Sequence, residues 1–381
     1  MTISFFSNFI NHHQVWLSEH LYNLVEGNYT FVEIIPMPES FRKTGYPDFS
    51  TKPYVLQAWK NAKNWEKALN LAEYSDVALF DGYESLFFEK IRSKKTNALS
   101  FEVNERWCKK GVINFLSPRF IKWYLQYLFR FRKCNTYKLC CSAYLPNDMY
   151  HIGAFKNKCY KWAYFTKVEE SIPFDTFEGK NNVLRIMWCS RFIDWKHPEM
   201  PIILASRLKE KGYSFTIDMY GGGILKEKMQ KLVRDLNVSD VVHLQGNLPN
   251  EQILCQMRKH QVFLFTSDRN EGWGAVVNEA LSNGCVVIGD EHIGSIPFLV
   301  THNVNGRIYK TKSIDSLEEQ VIHYFKNPDA IIANRKQAYE IMHHEWTPEK
   351  AALKLIKLIK SLKQGQDTPF IDGPCSKAYP I

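Results

Sequence analysis

Short apolar runs alternate along the chain with longer stretches whose apolar positions recur at helical spacing. Thr2–Phe9 and Thr30–Pro36 read as strands, with a helix over roughly Val15–Val25 between them and Asn11–Gln14 as the loop that opens it. Lys60–Ala72 reads as helix, Asp76–Phe80 as strand, Ser85–Arg92 as helix, and Ala98–Val103 and Tyr137–Tyr144 as further strands, the last followed by a loop holding Asp148 and His151. A polar stretch without a clear period, Lys167–Asn182, interrupts the pattern and predicts a domain boundary. The alternation then restarts, with strands at Val183–Cys189, Ser214–Met219, Val241–Leu244, Val262–Phe265 and Val286–Gly289, and helices at Glu199–Lys211 and Leu225–Leu236. Strand and helix in turn, twice over, predict two α/β domains with parallel sheets, over residues 1–170 and 180–345.

The most informative joint runs from Thr266 to Leu281. An apolar strand ends in a glycine-bearing turn, Glu271-Gly-Trp-Gly274, and the chain enters a helix through Ala275 and Val276. The first amides of that helix have no partner within it, and with the helix dipole they suit an anion such as a diphosphate. Gly272, Gly274 and Ala275 leave room for a ligand to approach the backbone. Glu271 and Glu279, with seven residues between them, are acceptors whose natural partners are hydroxyl groups. Phosphate between two polyols describes a nucleotide sugar. The plain alternative is that Glu271 favours a helix N-terminus and Glu279 is a solvated helix residue.

Arg191 and Lys196 follow the first strand of the second half, where two cations can clamp a diphosphate or serve as ordinary surface charge. Tyr220-Gly-Gly-Gly223 is a glycine turn without the third glycine of a dinucleotide fingerprint. In the first half, His12 and His13 lie beyond the carboxyl end of a strand, where such sheets hold ligands. Either could bond a substrate hydroxyl or phosphate, or simply cap a helix. Glu105 and Arg106 occupy the next loop of this kind, facing the same crevice or pairing with each other.

Charge sharpens the division. Net charge is +9 over 381 residues, and residues 1–170 carry 23 Lys+Arg against 16 Asp+Glu. Cys108–Lys138 alone has eight cations and no acid, around a helix over Val112–Phe129 that is dense in aromatics. A basic helix with such a face predicts contact of residues 109–133 with an anionic membrane surface, the alternative being a core helix with a basic outer edge. Without a basic stripe elsewhere, nucleic acid is not an expected partner. Nine scattered cysteines without a Cys-x-x-Cys pair predict reduced thiols and no zinc site. No apolar run is long enough to span a bilayer, and no signal peptide is evident, so the expected location is cytoplasmic, peripheral on the inner face of the cell membrane.

Together these pieces resemble family 4 glycosyltransferases, retaining enzymes of the GT-B fold, in which two Rossmann-like domains with parallel sheets face each other across a cleft. Ser190-Arg191 with Lys196, the glycine turn, Glu271-Gly-Trp-Gly with Glu279-Ala-Leu, Gly294-Ser-Ile-Pro297 and Asn305-Gly306 carry the likeness through the second half. Asn8–Gln14, Glu105-Arg106 with Lys109-Lys-Gly111, and Lys161–Phe165 look like a bacterial subgroup that assembles surface polysaccharides. Phe298 stands where the family often has Glu, and the loop Asn8–Gln14 lacks the usual glycines.

The resemblance implies transfer of a hexose-type sugar from a nucleoside-diphosphate donor, UDP favoured, to a glycan or polyprenyl-diphosphate-linked acceptor, with retention. It gives the donor sugar to Glu271 and Gly272, the ribose to Glu279, the diphosphate to Arg191, Lys196, Ala275 and Val276, and the base to the loop between Leu244 and Leu248. His13 is the catalytic candidate of the first domain, and His12, Glu105 and Arg106 lie on the acceptor side. No cofactor or metal is expected. A closing helix near 348–363 is expected to return to the first domain. Rival readings are an epimerase or phosphorylase on the same fold, and a non-catalytic sugar- or nucleotide-binding scaffold at the membrane.

Overall fold

The computed structural model of the chain describes residues 1–39, 47–169, 172–174, 177 and 183–381. They form two compact units, Met1–Lys167 with Glu345–Ile381, and Val168–His344. Part of the polar stretch Lys167–Asn182 lies outside the described residues.

The first unit contains β1 (Ile3–Ser7), α1 (Val15–Leu24), β2 (Tyr29–Glu33), β3 (Val55–Gln57), α2 (Ala62–Tyr74), β4 (Val77–Asp81), α3 (Leu86–Arg92), β5 (Leu99–Asn104), α4 (Pro118–Phe129), β6 (Thr136–Cys140), α5 (Leu145–His151) and β7 (Cys159–Lys161). All strands are parallel, in the order β3-β2-β1-β4-β5-β6-β7. β1 is buried at every position, as a strand covered by helices on both faces must be.

The second unit contains β8 (Leu184–Cys189), α6 (Glu199–Glu210), β9 (Phe215–Tyr220), α7 (Lys226–Asp235), β10 (Val242–Gly246), α8 (Asn250–Lys259), β11 (Val262–Phe265), α9 (Val276–Ser282), β12 (Val286–Asp290), α10 (Ile296–Leu299), β13 (Gly306–Tyr309), α11 (Ile314–Lys326) and α12 (Pro328–Glu345). Its six parallel strands run β10-β9-β8-β11-β12-β13. Ile186, Trp188, Ile217, Leu264 and Ile288 sit in its core. Each sheet therefore reverses its winding once, between β1 and β4 and between β8 and β11. Loops leaving the carboxyl ends of those strands border a natural ligand site.

Residues 345–381 belong to the first unit. α13 (Pro348–Lys363) buries Ala351, Ala352, Leu355, Leu358, Ile359 and Leu362 and packs against α1. Beyond it, Lys161 N donates to Ser376 O (2.8 Å), Cys375 N to Lys161 O (2.8 Å) and Ala378 N to Cys159 O (3.0 Å), so the tail runs antiparallel along the edge of β7.

Two local expectations are corrected, and two strands went unread. The single helix over Val112–Phe129 is a 3₁₀ turn, Gly111–Leu116, followed by α4. Pro118 forces the break: it holds Ser117 extended, and the Ser117 hydroxyl then caps α4 by accepting from Phe120 N (3.2 Å). Asp148 and His151 lie in α5 rather than in a loop, and Asp148 accepts from the amides of Trp107 (2.7 Å) and Cys108 (3.0 Å). β3 and β7, three residues each, are too short to show a period.

Candidate functional site

At the carboxyl edge of the second sheet, backbone bonds fasten four loops together. Ser190 N donates to Tyr220 O (3.1 Å), Phe192 N to Gly222 O (2.9 Å) and Gly221 N to Gly246 O (2.7 Å). Gly221 has φ +129°, and a Cβ there would lie 1.9 Å from Ser190 O, so only glycine lets the β8 and β9 loops close on each other. The Trp188 indole donates to Thr266 Oγ1 (2.9 Å), which donates to Lys196 O (2.8 Å), and Asp268 N donates to Trp195 O (3.0 Å). These contacts tie the β8 loop, with its cations, to the β11 loop, with its carboxylate.

Lys196 and Glu271 form an ion pair with side chains 10% and 13% exposed. Two groups expected to hold different parts of a ligand thus meet each other. The Lys196 ammonium also lies 4.2 Å from the centre of the Trp195 ring, while exposed Arg191 sits 5.8 Å from the same ring. His197, held at φ +48°, bonds Glu199 (2.9 Å) and Asp268 (3.4 Å), and the Glu199 contact raises its pKa above the usual imidazole range.

Past Glu271, Gly272 is buried and Gly274 turns at φ +88°, where a Cβ would lie 2.5 Å from the Phe265 ring. Val277 N closes onto Gly274 O (2.9 Å), which puts Ala275 and Val276 at the opening turn of α9. Glu279 accepts from Asn250 Nδ2 (3.2 Å), the first residue of α8. Burial pushes the Glu279 carboxyl up to about 7 against that bond. Leu244 packs on the core from β10, and Leu248 is half-buried in the loop that follows.

In the first unit, His12 and His13 follow β1, their rings 3.8 Å apart, and His13 stacks on Tyr164 (5.4 Å). Burial, then the neighbouring His12, lowers His13 to about 3, so its ring is neutral at physiological pH. Gln14 Nε2 donates to Asp81 (3.0 Å) at the end of β4, whose carboxyl burial raises to about 6. Glu105 accepts from Tyr164 (3.0 Å) and Lys109 (2.8 Å), and Arg106 is buried over the Tyr144 ring (4.5 Å).

Trp195, Asp268 and Asn250 escaped the sequence reading. Only Trp195, an aromatic beside a cation in a strand-end loop, left a signal there; Asn250 reaches Glu279 from 29 residues away. On α4 and its leading turn, Ile113, Leu116, Ile121, Leu125 and Phe129 are exposed, Leu116 to 74% and Phe129 to 75%. Among the described residues no helix is long and apolar enough to cross a membrane, and no cluster of metal-binding side chains occurs.

Residues 172–341 match the family model described as "Glycosyl transferases group 1". The chain is 31% identical over 128 residues to the amylovoran biosynthesis glycosyltransferase AmsK of Erwinia amylovora, covering 32% of this chain and 31% of that one. It is 24% identical over 185 residues to the putative colanic acid biosynthesis glycosyltransferase WcaL of Escherichia coli K12, covering 47% and 45%. The chain thus spans less than half the length of these curated relatives. Among solved structures it resembles Anabaena HepE in complex with UDP (TM-score 0.68, 13% identity, 95% of this chain and 100% of that one). It also resembles the lipopolysaccharide outer core galactosyltransferase WaaB (TM-score 0.67, 14% identity, 93% and 99%). The fold is α/β, two Rossmann-like units of the GT-B type.

Proposed function

We propose that the chain is a retaining glycosyltransferase that moves a hexose-type sugar from a nucleoside-diphosphate donor to a glycan or lipid-linked acceptor in bacterial surface-polysaccharide synthesis. The observation that carries this is the fastening of Arg191, Lys196, Glu271 and the opening of α9 to one sheet edge in the second unit. Relatives that match part of the chain are named as polysaccharide-biosynthesis glycosyltransferases. UDP is the favoured nucleotide, since HepE was solved with it.

In this reading Arg191 and Lys196 hold the diphosphate, helped by the amides of Ala275 and Val276, and offset the charge that builds as it leaves. Glu271 with Gly272 takes hydroxyls of the donor sugar, and Lys196 orients that carboxylate through their ion pair. Glu279 takes the ribose, held toward it by Asn250. The loop between Leu244 and Leu248 meets the base. The acceptor oxygen bonds the anomeric carbon on the face from which the diphosphate departs; the C–O electron pair goes to the phosphate, which accepts the acceptor proton. His13, neutral and stacked on Tyr164, serves the acceptor as a hydrogen-bonding group, with His12, Glu105 and Arg106 beside it. Turnover of UDP-, GDP- and ADP-sugars with lipid-linked acceptors, product anomers read by NMR, tests the reading; no turnover, an inverted product, or full activity in Glu271→Ala refutes it.

The exposed apolar residues of α4 and its leading turn, bordered by Arg119, Lys122, Arg130, Arg132 and Lys133, form the proposed contact with an anionic membrane surface. Flotation with anionic vesicles should be lost in Leu116→Ser/Phe129→Ser and fall with salt. Equal flotation of the variant would remove the assignment.

A further inference from the structure

A cavity of about 280 Å³ opens on one face of the first sheet, between β4, β5, α3 and α4. No residue of the loop that carries His12 and His13 lines it. Its aromatic wall is Trp107, Phe120 and Trp123: Trp107 meets Trp123 edge-on at 4.2 Å and Phe120 edge-on at 5.7 Å. Two carboxylates complete the lining, Glu89 from α3 and Glu102 from β5, which are 4% and 3% exposed.

Lys138, fully buried on β6, pairs with Glu102 and donates to Asn104 (2.7 Å), and its charge also acts on nearby Glu89. With Glu89 protonated the two carboxyl groups bond each other, and neither Oε1 receives a donor from any other residue among the described ones. Burial first, then Glu102 beside it, holds Glu89 well above the usual carboxylate range, so it carries a proton it can share or donate. The shared proton serves one contact of this pair, and the remaining lone pairs of the two cavity-lining carboxyl groups can take a further donor. The Lys138 ammonium lies 4.7 Å from the centre of the Trp107 ring and 5.1 Å from that of Trp123, which ties the acids to the aromatic wall.

Flat aromatic faces accept the C–H face of a pyranose, and buried carboxyl groups beside them accept or donate to its hydroxyls. The volume falls just below the roughly 300–1,000 Å³ typical of ligand pockets, so it admits one ring and not a chain of them. We infer that this cavity binds a single hexose-type ring of the glycosyl acceptor, stacked on Trp107 and bonded by Glu89 and Glu102. The identity of the ring as part of an acceptor rests on the glycosyltransferase reading; its binding does not.

The test uses the full chain and saturation-transfer NMR with methyl α- and β-glycosides of glucose, galactose and N-acetylglucosamine, with UDP titrated into the same samples. The expected result is saturable transfer to at least one glycoside, weakened tenfold or more by Trp107→Ala and by the isosteric Glu89→Gln. UDP affinity should be unchanged in both variants, which also shows that they are folded. Absence of glycoside binding to the wild type, or undiminished binding in both variants, overturns the assignment. Failure of UDP to bind any sample, with glycoside binding intact, instead counts against the donor reading and leaves the pocket standing.

Discussion

Replacing Glu279 by Gln tests both the burial of that carboxyl and its proposed work. Its pKa stands at about 7 against an ordinary 4.5, burial outweighing the Asn250 bond. At about 1.4 kcal/mol per tenfold change in proton affinity, the ionised form costs the fold roughly 3 kcal/mol. The folded chain holds this proton more tightly than the unfolded one, so stability falls as pH rises from about 4.5 to about 7 and stays lower above that. Glu279→Gln keeps the shape and removes the charge. Its advantage over wild type should be under about 1 kcal/mol at pH 5 and about 3 kcal/mol at pH 8. For a unit of this size that is a rise in melting temperature of roughly 6–12 °C at pH 8. Thermal melts of both proteins at the two pH values, followed by tryptophan fluorescence, measure it. UDP titrations on the same samples should show the opposite cost, the variant binding more weakly above pH 7, where wild-type Glu279 is ionised. A melting offset equal at pH 5 and pH 8 would refute the burial argument.

Other perturbations separate fastening from chemistry. Gly274→Ala, placed at φ +88° against the Phe265 ring, should destabilise on the order of 1–3 kcal/mol, read as a lower melting temperature. Lys196→Met should weaken UDP binding by at least tenfold while leaving the glycine turn intact; unchanged affinity by calorimetry would take Lys196 out of the diphosphate site. Asp218, although burial pushes it up, is held well below the usual carboxylate range by His260 and then Gln245, so its stabilisation is present above about pH 4 and lost as pH falls further. Asp218→Asn should destabilise by about 1–3 kcal/mol at pH 7, and the gap should close in strong acid.

The two α/β halves were legible because parallel strands buried on both faces read as unbroken apolar runs. Val262–Phe265 and Val286–Asp290 are buried throughout. The residues of the β8 and β11 loops were legible as types, since cations, glycines and acids stood in strand-end loops. Their mutual geometry was not. That Lys196 would meet Glu271, 75 residues on, depends on β8 and β11 being neighbours across the switch in winding, which no local pattern encodes. Short β3 and β7 had no period to read. The buried acid pair under α4 was hidden for another reason: Glu89 sits in a helix and Glu102 in a strand, and only tertiary packing brings them to one cavity.

The return of residues 345–381 to the first unit has a consequence in time. During synthesis the segment 168–344 has its whole sheet in hand before residues 345–381 are made, and it can fold as one continuous piece. The first unit must wait. Until α13 docks on α1 and Cys375–Ala378 lie along β7, one edge of its sheet presents unpaired backbone to any strand that passes. Residues 345–381 are thus the clasp that finishes a unit made before them, and the interval in which that sheet edge stays open ends only when they have left the ribosome.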